Sequence, residues 1–302
     1  MIIAAATQHR QLSGEGFSTG AAAWTEFWQE QGPGSRCLAR ASPDWHRALN
    51  DHWQSLAAAF PPGARVLDIG CGAGAVARSL GEVRRDLTII GIDFAEIPSG
   101  GDGTIEIWSG THMEATPFPG ASFGAAVSQF GYEYGQTEEA AKELARVLTP
   151  GAPFSFLVHH SESPILADSG AHAGALEGLS GSRLGTSFLS GDAAALDREL
   201  SSLRRKFPGE SIMIDQAAHG LHRHVGTSEL QRARIWKAVT DALAPGRVLE
   251  EALEKCCVAA DEMDRWLAPL NAKFAIKPPS AIRLKGGQPI AWKIEGTRTR
   301  SR

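Results

Sequence analysis

Apolar residues along this chain follow two distinct spacings. Short unbroken runs, Val66-Leu67 with Ile69 and Ile89-Ile90 with Ile92, predict strands, the first of them covered on both faces. A helical segment is expected between them, starting at Ala75. Helical spacing dominates the flanks. Trp24, Phe27 and Trp28 share one helical face, Gly32-Pro33-Gly34 ends that segment, and Trp45, Leu49, Trp53, Leu56 and Phe60 recur after Pro43-Asp44. Beyond residue 160, Leu196, Leu200, Leu203 and Phe207 form one stripe, and Ser228-Glu229-Leu230-Gln231 is a capping-box start for a helix running toward Leu243. Leu249, Leu253, Cys256, Ala260, Met263, Leu267 and Leu270, in steps of four and three, predict one buried helix face with Trp266 at its edge. Residues 280–285 and 289–293 flank Gly286-Gly287 as a hairpin.

The first strand runs straight into Gly70-Cys71-Gly72-Ala73-Gly74. Glycines there can take positive φ and let a ligand approach the main chain, while the helix that follows offers unpaired N–H donors and the positive end of its dipole. Asp93 ends the second strand, 19 residues beyond Gly74, where a carboxylate suits the hydroxyls of a ribose. A nucleotide-like cofactor is therefore expected. Gly70, Gly72 and Ala75 alone also fit the loose dinucleotide fingerprint, which leaves a nicotinamide-dependent oxidoreductase open at this point.

Asp68-Ile69-Gly70-Cys71-Gly72-Ala73-Gly74 resembles the first motif of the class I S-adenosylmethionine-dependent methyltransferases, an acidic residue two places before a G-x-G-x-G turn. Four further segments follow in the family's order: Gly91-Ile92-Asp93-Phe94, the loop Thr111 to Pro119, Ala125 to Gly131, which the resemblance makes the fourth strand, and Glu143 to Gly151, which it makes a helix and turn leading into the fifth strand at Phe154 to Val158. The resemblance covers roughly residues 61–160 and is closest to the small-molecule branch that includes quinone-biosynthesis methyltransferases. His112 stands where the family usually has Asp, Gly124 replaces a common acid, and Ala152 replaces a glycine.

The resemblance implies an α/β fold with a doubly wound, mostly parallel seven-stranded sheet, closed by a C-terminal antiparallel hairpin. It also implies an N-terminal helical arm (1–60), a cofactor-binding core (61–160), a helical insertion or lid (161–270), the closing hairpin (271–296) and a disordered tail (297–302). S-adenosyl-L-methionine would be held by Asp68, Gly70, Gly72, Ala73, Gly74, Asp93, Phe94, His112, Met113, Glu114, Gln129 and Phe130. Aromatic side chains of Phe17, Trp24, Trp28, Tyr132 and Tyr134 are expected to bind a flat, apolar acceptor. Where the acceptor must lose a proton, His159 or His160 after the fifth strand is the expected base, with Glu133 a further candidate after the fourth.

Composition narrows the partners. With 30 basic and 34 acidic residues the formal net charge is −4, so the global basic field that accompanies sequence-independent nucleic-acid binding is missing. No apolar run is long enough to span a membrane, Met1 to Ala6 lacks the features of a secretory signal, and a cytoplasmic location is expected. The cysteines at 37, 71, 256 and 257 form no C-x-x-C pair, and His219, His222 and His224 fit no zinc spacing, so no metal is expected. A small-molecule methyltransferase accounts for every segment. An oxidoreductase explains only the glycines, and a non-catalytic cofactor-binding protein would keep the fold without turnover.

Overall fold

The computed structural model describes residues 14–31, 42–98 and 105–300. The helices are α1 Gly14–Gln31, α2 Pro43–Ala57, α3 Ala75–Val83, α4 Thr137–Val147, α5 Pro164–Ser180, α6 Ser182–Ser190, α7 Ala193–Lys206, α8 Ser211–His222, α9 Glu229–Cys256 and α10 Met263–Asn271. The strands are β1 Arg65–Ile69, β2 Thr88–Ile92, β3 Glu106–Trp108, β4 Ala125–Gln129, β5 Pro153–His159, β6 Phe274–Ile276, β7 Ser280–Arg283 and β8 Pro289–Arg298. They divide into two compact units. Of the described residues, those within 24–165 and 256–300 make one unit, and 14–23 with Leu166–Lys255 make the other.

The first unit is built on the sheet, in the order β3-β2-β1-β4-β5-β8-β6, with β7 also on β8. Strands β1 to β5 are parallel and β8 runs antiparallel to β5, β6 and β7. Strand residues alternate between two cores, as the two-residue period of a strand requires. Leu67, Ile69, Ile90, Ile92, Ala126, Phe154, Phe156 and Val158 pack with α4 and α10. Val66, Ile89, Ala125, Val127 and Leu157 pack with α2 and α3 through Trp45, Leu49, Trp53, Val76, Ala77 and Leu80. Helices on both faces make the sheet doubly wound. The direction of winding reverses between β1 and β4, and the crevice outside the carboxyl ends of strands at such a point is where open α/β sheets bind ligands.

Among the described residues the sheet has eight strands where seven were expected. β6 and β7 lie along the same side of β8, with Ile276 opposite Gly296 and Ser280 opposite Lys293, so together they form one edge strand broken at Pro278-Pro279. Proline has no N–H to give the ladder, which is why the break falls there. Residues 297–299, expected in the tail, are paired instead: Thr297 pairs with Pro153 and Arg298 with Phe274, and the Thr299 hydroxyl donates to the Lys273 carbonyl at 2.8 Å.

The apolar stripe from Leu249 to Leu270 is not one helix. α9 ends at Cys256, Val258 forms a parallel bridge with His160, and a new helix starts at Met263. Hydrogen bonds at the carboxyl end of β5, Val258 N–H to the His159 carbonyl and Ser161 N–H to the Val258 carbonyl, override the helical period. The helical unit consequently closes at Lys255, and Met263, Leu267 and Leu270 belong to the sheet core. Within the helical unit, Leu196 and Leu200 of α7 are buried with Leu179, Leu184, Phe188, Ile214 and Leu221, and Leu203 and Phe207 pack against them. Ser228 Oγ accepts from the Gln231 N–H at the start of α9, and that helix continues past Leu243 through Pro245 to Cys256. No described helix is long and apolar enough to cross a membrane.

Candidate cofactor site

β1 ends where Gly70, Gly72 and Gly74 take φ of +62°, +47° and +80°, a region that side chains rarely adopt. The first of these glycines is also required by contact. A Cβ on Gly70 would stand 2.7 Å from Gly131 Cα, so the turns after β1 and β4 pack back to back. Ser128 fastens this junction, its hydroxyl donating to the Ile69 carbonyl at 2.7 Å and accepting from the Tyr132 N–H at 2.9 Å. Gly72 lies beneath the Trp28 ring, which a Cβ would approach to 2.3 Å, and Trp28 is buried with Ala73 and Ala95.

The glycine bend is less open to a ligand than expected. Cys71 N–H donates to the Ile92 carbonyl at 3.1 Å, Gly74 N–H to the Cys71 carbonyl at 3.0 Å, and Gly72 N–H to Asp93 Oδ2 at 2.9 Å. Asp93 Oδ1 accepts from the Ala95 N–H at 3.0 Å. A carboxylate has about four acceptor positions, so Asp93 keeps capacity for hydroxyl donors while it braces the bend. Burial pushes its carboxyl up to about 6, against the opposing pull of the two N–H donors.

Asp68 is the most demanding group of the site. It is fully buried, and neither carboxyl oxygen has a hydrogen-bond partner. Burial, and then the neighbouring Asp93, push its carboxyl well above the usual carboxylate range. Buried polar groups are otherwise paired, so two oxygens without a hydrogen-bond partner leave acceptor capacity for a donor.

The loop after β3 is stitched to the end of β2. Thr111 N–H donates to the Asp93 carbonyl at 2.9 Å, and the Phe94 and His112 rings lie 6.4 Å apart. Met113 packs on Gly135, where a Cβ would meet its sulfur at 2.4 Å. Glu114 is turned away, its Oε1 accepting from the Gln136 N–H at 2.7 Å at the head of α4. Gln129 is likewise engaged, accepting from Trp53 Nε1 at 2.7 Å. Phe130 is buried with φ of +58°, a strained conformation for a non-glycine residue, of the kind that gathers at functional sites.

The expected acceptor residues separate. Tyr132 is fully buried and stacks on Phe156 at 4.4 Å, which makes it core rather than pocket wall. Tyr134, two residues on in the same turn, meets Trp24 edge-on at 5.5 Å and His159 at 6.0 Å. Trp28 covers the glycine bend, and the Phe17 side chain lies outside the described residues.

The two histidines part as neighbours in a strand must. His159 is buried, with Nδ1 2.7 Å from Glu133 Oε1, its backbone N–H 2.9 Å from the same oxygen, and its ring 4.4 Å from Phe130. Cys256 Sγ lies 3.9 Å from His159 Nδ1. His160 stacks on Trp292 at 4.2 Å, its Nδ1 accepts from the Glu162 N–H, and burial lowers its pKa. It is held by the bridge to Val258 just beyond the carboxyl end of β5. The histidines of α8 and the turn beyond do not converge, and His222 instead pairs with Asp197 at 3.1 Å.

Residues 67–156 match the model of a family described as a methyltransferase domain. The chain carries a methyltransferase domain. S-adenosyl-L-methionine is the cofactor of this methyltransferase, and the orphaned oxygens of Asp68 together with the glycine cradle fit its cationic, nucleoside-bearing form. No curated protein matches the chain. Among solved structures, a chain from the complex of the Haloferax volcanii Trm112 methyltransferase activator with a putative methyltransferase is 12% identical, covering 95% of this chain and 98% of its own, with a TM-score of 0.45. A Thermotoga maritima S-adenosylmethionine-dependent methyltransferase, described as a possible histamine N-methyltransferase, is 15% identical over 92% of this chain and 99% of its own, with a TM-score of 0.46. One from Mesorhizobium loti is 26% identical over 36% of this chain and 54% of its own, with a TM-score of 0.31.

Two partners in the site had no local signal in the sequence. Cys256 reaches His159 across 97 residues, and Trp53 reaches Gln129 across 76.

Proposed function

We propose that this methyltransferase moves the methyl group of S-adenosyl-L-methionine to a small, apolar or aromatic metabolite by in-line displacement. The observation that carries the acceptor class is the aromatic group beyond the ends of β4 and β5, in which Tyr134 meets Trp24 at 5.5 Å and His159 at 6.0 Å, with Phe130 4.4 Å from His159. Rings of this kind suit a flat acceptor. The resemblance to quinone-biosynthesis methyltransferases and the net charge of −4 favour the same class over nucleic acid.

The bound cofactor supplies an electrophilic methyl group on a sulfonium. Asp68 is assigned to its ammonium, Asp93 to the ribose hydroxyls, and Phe94, His112 and Met113 to the adenine side, while Gly70, Gly72 and Gly74 keep the main chain clear. Trp28, over Gly72, belongs with the cofactor side rather than the acceptor side. Positioning alone can remove about 7–11 kcal/mol of barrier, so the proposal depends on alignment and exclusion of water and not on a base.

Metabolite extracts incubated with the purified protein and cofactor carrying a labelled methyl group test the acceptor class. Mass spectrometry is expected to find a low-molecular-weight species heavier by one labelled methyl, and Trp24→Ala should slow its formation while leaving cofactor affinity within about threefold. Label appearing only in the nucleic-acid or protein fraction would overturn the small-molecule acceptor.

A further inference from the structure

We propose that Glu133, His159 and Cys256 form a binding site for a zinc-class divalent cation, a conclusion independent of which acceptor the enzyme methylates. One ligand atom from each of the three lies within 4.8 Å of the other two. The set combines a carboxylate oxygen, an imidazole nitrogen and a sulfur, the mixture that a borderline-soft cation such as Zn²⁺ prefers over Mg²⁺ or Ca²⁺. Zinc bonds of about 2.0–2.3 Å in tetrahedral geometry put donors about 3.4–3.6 Å apart. The nitrogen and oxygen stand 2.7 Å apart and the sulfur and nitrogen 3.9 Å apart, so these two pairs need to change by about 0.7 Å and about 0.4 Å to close on a cation, and the Glu133 oxygen and Cys256 sulfur start within 4.8 Å of each other.

A second observation points the same way. The Glu133 side chain is fully shielded from solvent, and while Oε1 takes both the backbone N–H and Nδ1 of His159, Oε2 has no hydrogen-bond partner. A buried carboxylate with an orphaned oxygen is costly unless a cation completes it. The donors are also held in place before any cation arrives. Val258 N–H bonds the His159 carbonyl at 3.0 Å and Trp292 Nε1 bonds the Val258 carbonyl at 2.8 Å, which pins the segment just after Cys256 beside β5. Three protein donors with both Glu133 and Cys256 anionic would balance a divalent charge and leave a fourth position open, the pattern of non-structural zinc sites.

Cobalt titration of the full chain, stripped with chelator and kept reduced, is the test. The wild type is expected to take up one equivalent with a thiolate-to-cobalt charge-transfer band that Zn²⁺ abolishes. Cys256→Ser should lose the band, Cys257→Ser should keep it, and Glu133→Gln should weaken cobalt affinity at least tenfold, each with an unchanged circular dichroism spectrum. No band in the folded wild type, or a band that survives Cys256→Ser, would overturn the site. X-ray absorption at the zinc edge of the loaded wild type gives a second measure that needs no variant. One sulfur among nitrogen and oxygen neighbours is expected, and none or more than one would contradict the proposal.

Discussion

Replacing Asp68 by Asn changes one buried charge and little shape, and the consequences can be worked from its surroundings. Asp68 is fully buried with both oxygens unpartnered, and burial and Asp93 hold its carboxyl well above the usual range. Without cofactor the group therefore retains its proton above the pH at which an exposed aspartate loses it. An arriving ammonium stabilises the carboxylate, so association should release up to one proton, and affinity should rise by up to about tenfold per pH unit until the raised value is passed. Asn cannot ionise. Its loss of a charge-assisted hydrogen bond of about 1.5–3 kcal/mol predicts about 10- to 150-fold weaker binding, with the pH dependence flattened.

The stability of the cofactor-free protein moves in the opposite direction. Because the folded value lies above the unfolded one, the folded state binds more protons, and the contribution present below the unfolded value is lost as pH rises toward the folded value. Cofactor-free Asp68→Asn should accordingly be more stable than the wild type at neutral pH, with the gap narrowing in acid. Titration calorimetry between about pH 6 and 8, in two buffers of different ionisation enthalpy, reads both the affinity and the released proton. Wild-type affinity that is flat with pH, joined to an Asp68→Asn affinity within threefold of it, would refute the assignment.

Asp93, pushed up to about 6, should titrate near that value by carboxyl carbon NMR of the cofactor-free protein; its stabilising contribution should fall by about 3 kcal/mol as pH rises from the ordinary carboxylate value through that window, and a midpoint near 4 would remove the effect. Gly72→Ala forces a Cβ to 2.3 Å from the Trp28 ring at a φ of +47° and should cost about 1–3 kcal/mol by denaturant unfolding. Adding Trp28→Ala should recover the steric part of that loss, and no recovery would mean that the ring does not cover Gly72. Trp53→Phe removes the 2.7 Å bond to Gln129 from a nearly fully buried indole and should destabilise by about 1–3 kcal/mol, with wild-type stability contradicting the bond.

The parts of the site that were legible in the sequence are those made by neighbours in the chain. A buried strand running into closely spaced glycines signals by itself a tight bend at a strand's carboxyl end, and Asp93 could be placed because it ends the next strand. Unbroken apolar runs foretold β1 and β2, and the resemblance foretold β4 and β5, although neither could show which face each residue serves. Contacts between distant segments left no such trace. Nothing local announces that Gly70 must be glycine because Gly131 packs against it, or that Cys256 lies beside His159.

Where a regular period was followed too far, tertiary pairing overrode it. Leu249 to Leu270 keeps a helical rhythm through Cys256 and Ala260, yet Val258 between them bonds to the carboxyl end of β5. Tyr132 and Tyr134 stood as equals in the sequence because the short 3₁₀ turn that separates them has no recognisable pattern. The turn sends Tyr132 onto Phe156 and Tyr134 toward Trp24.

A crystal structure of the protein with S-adenosylhomocysteine tests the cofactor assignment most directly. The amino group is expected within hydrogen-bond distance of Asp68, the ribose hydroxyls on Asp93, and the nucleoside against Phe94 and Met113 above the bend at Gly70 to Gly74. Density for the compound elsewhere, with the Asp68 oxygens still unpartnered, would contradict the account.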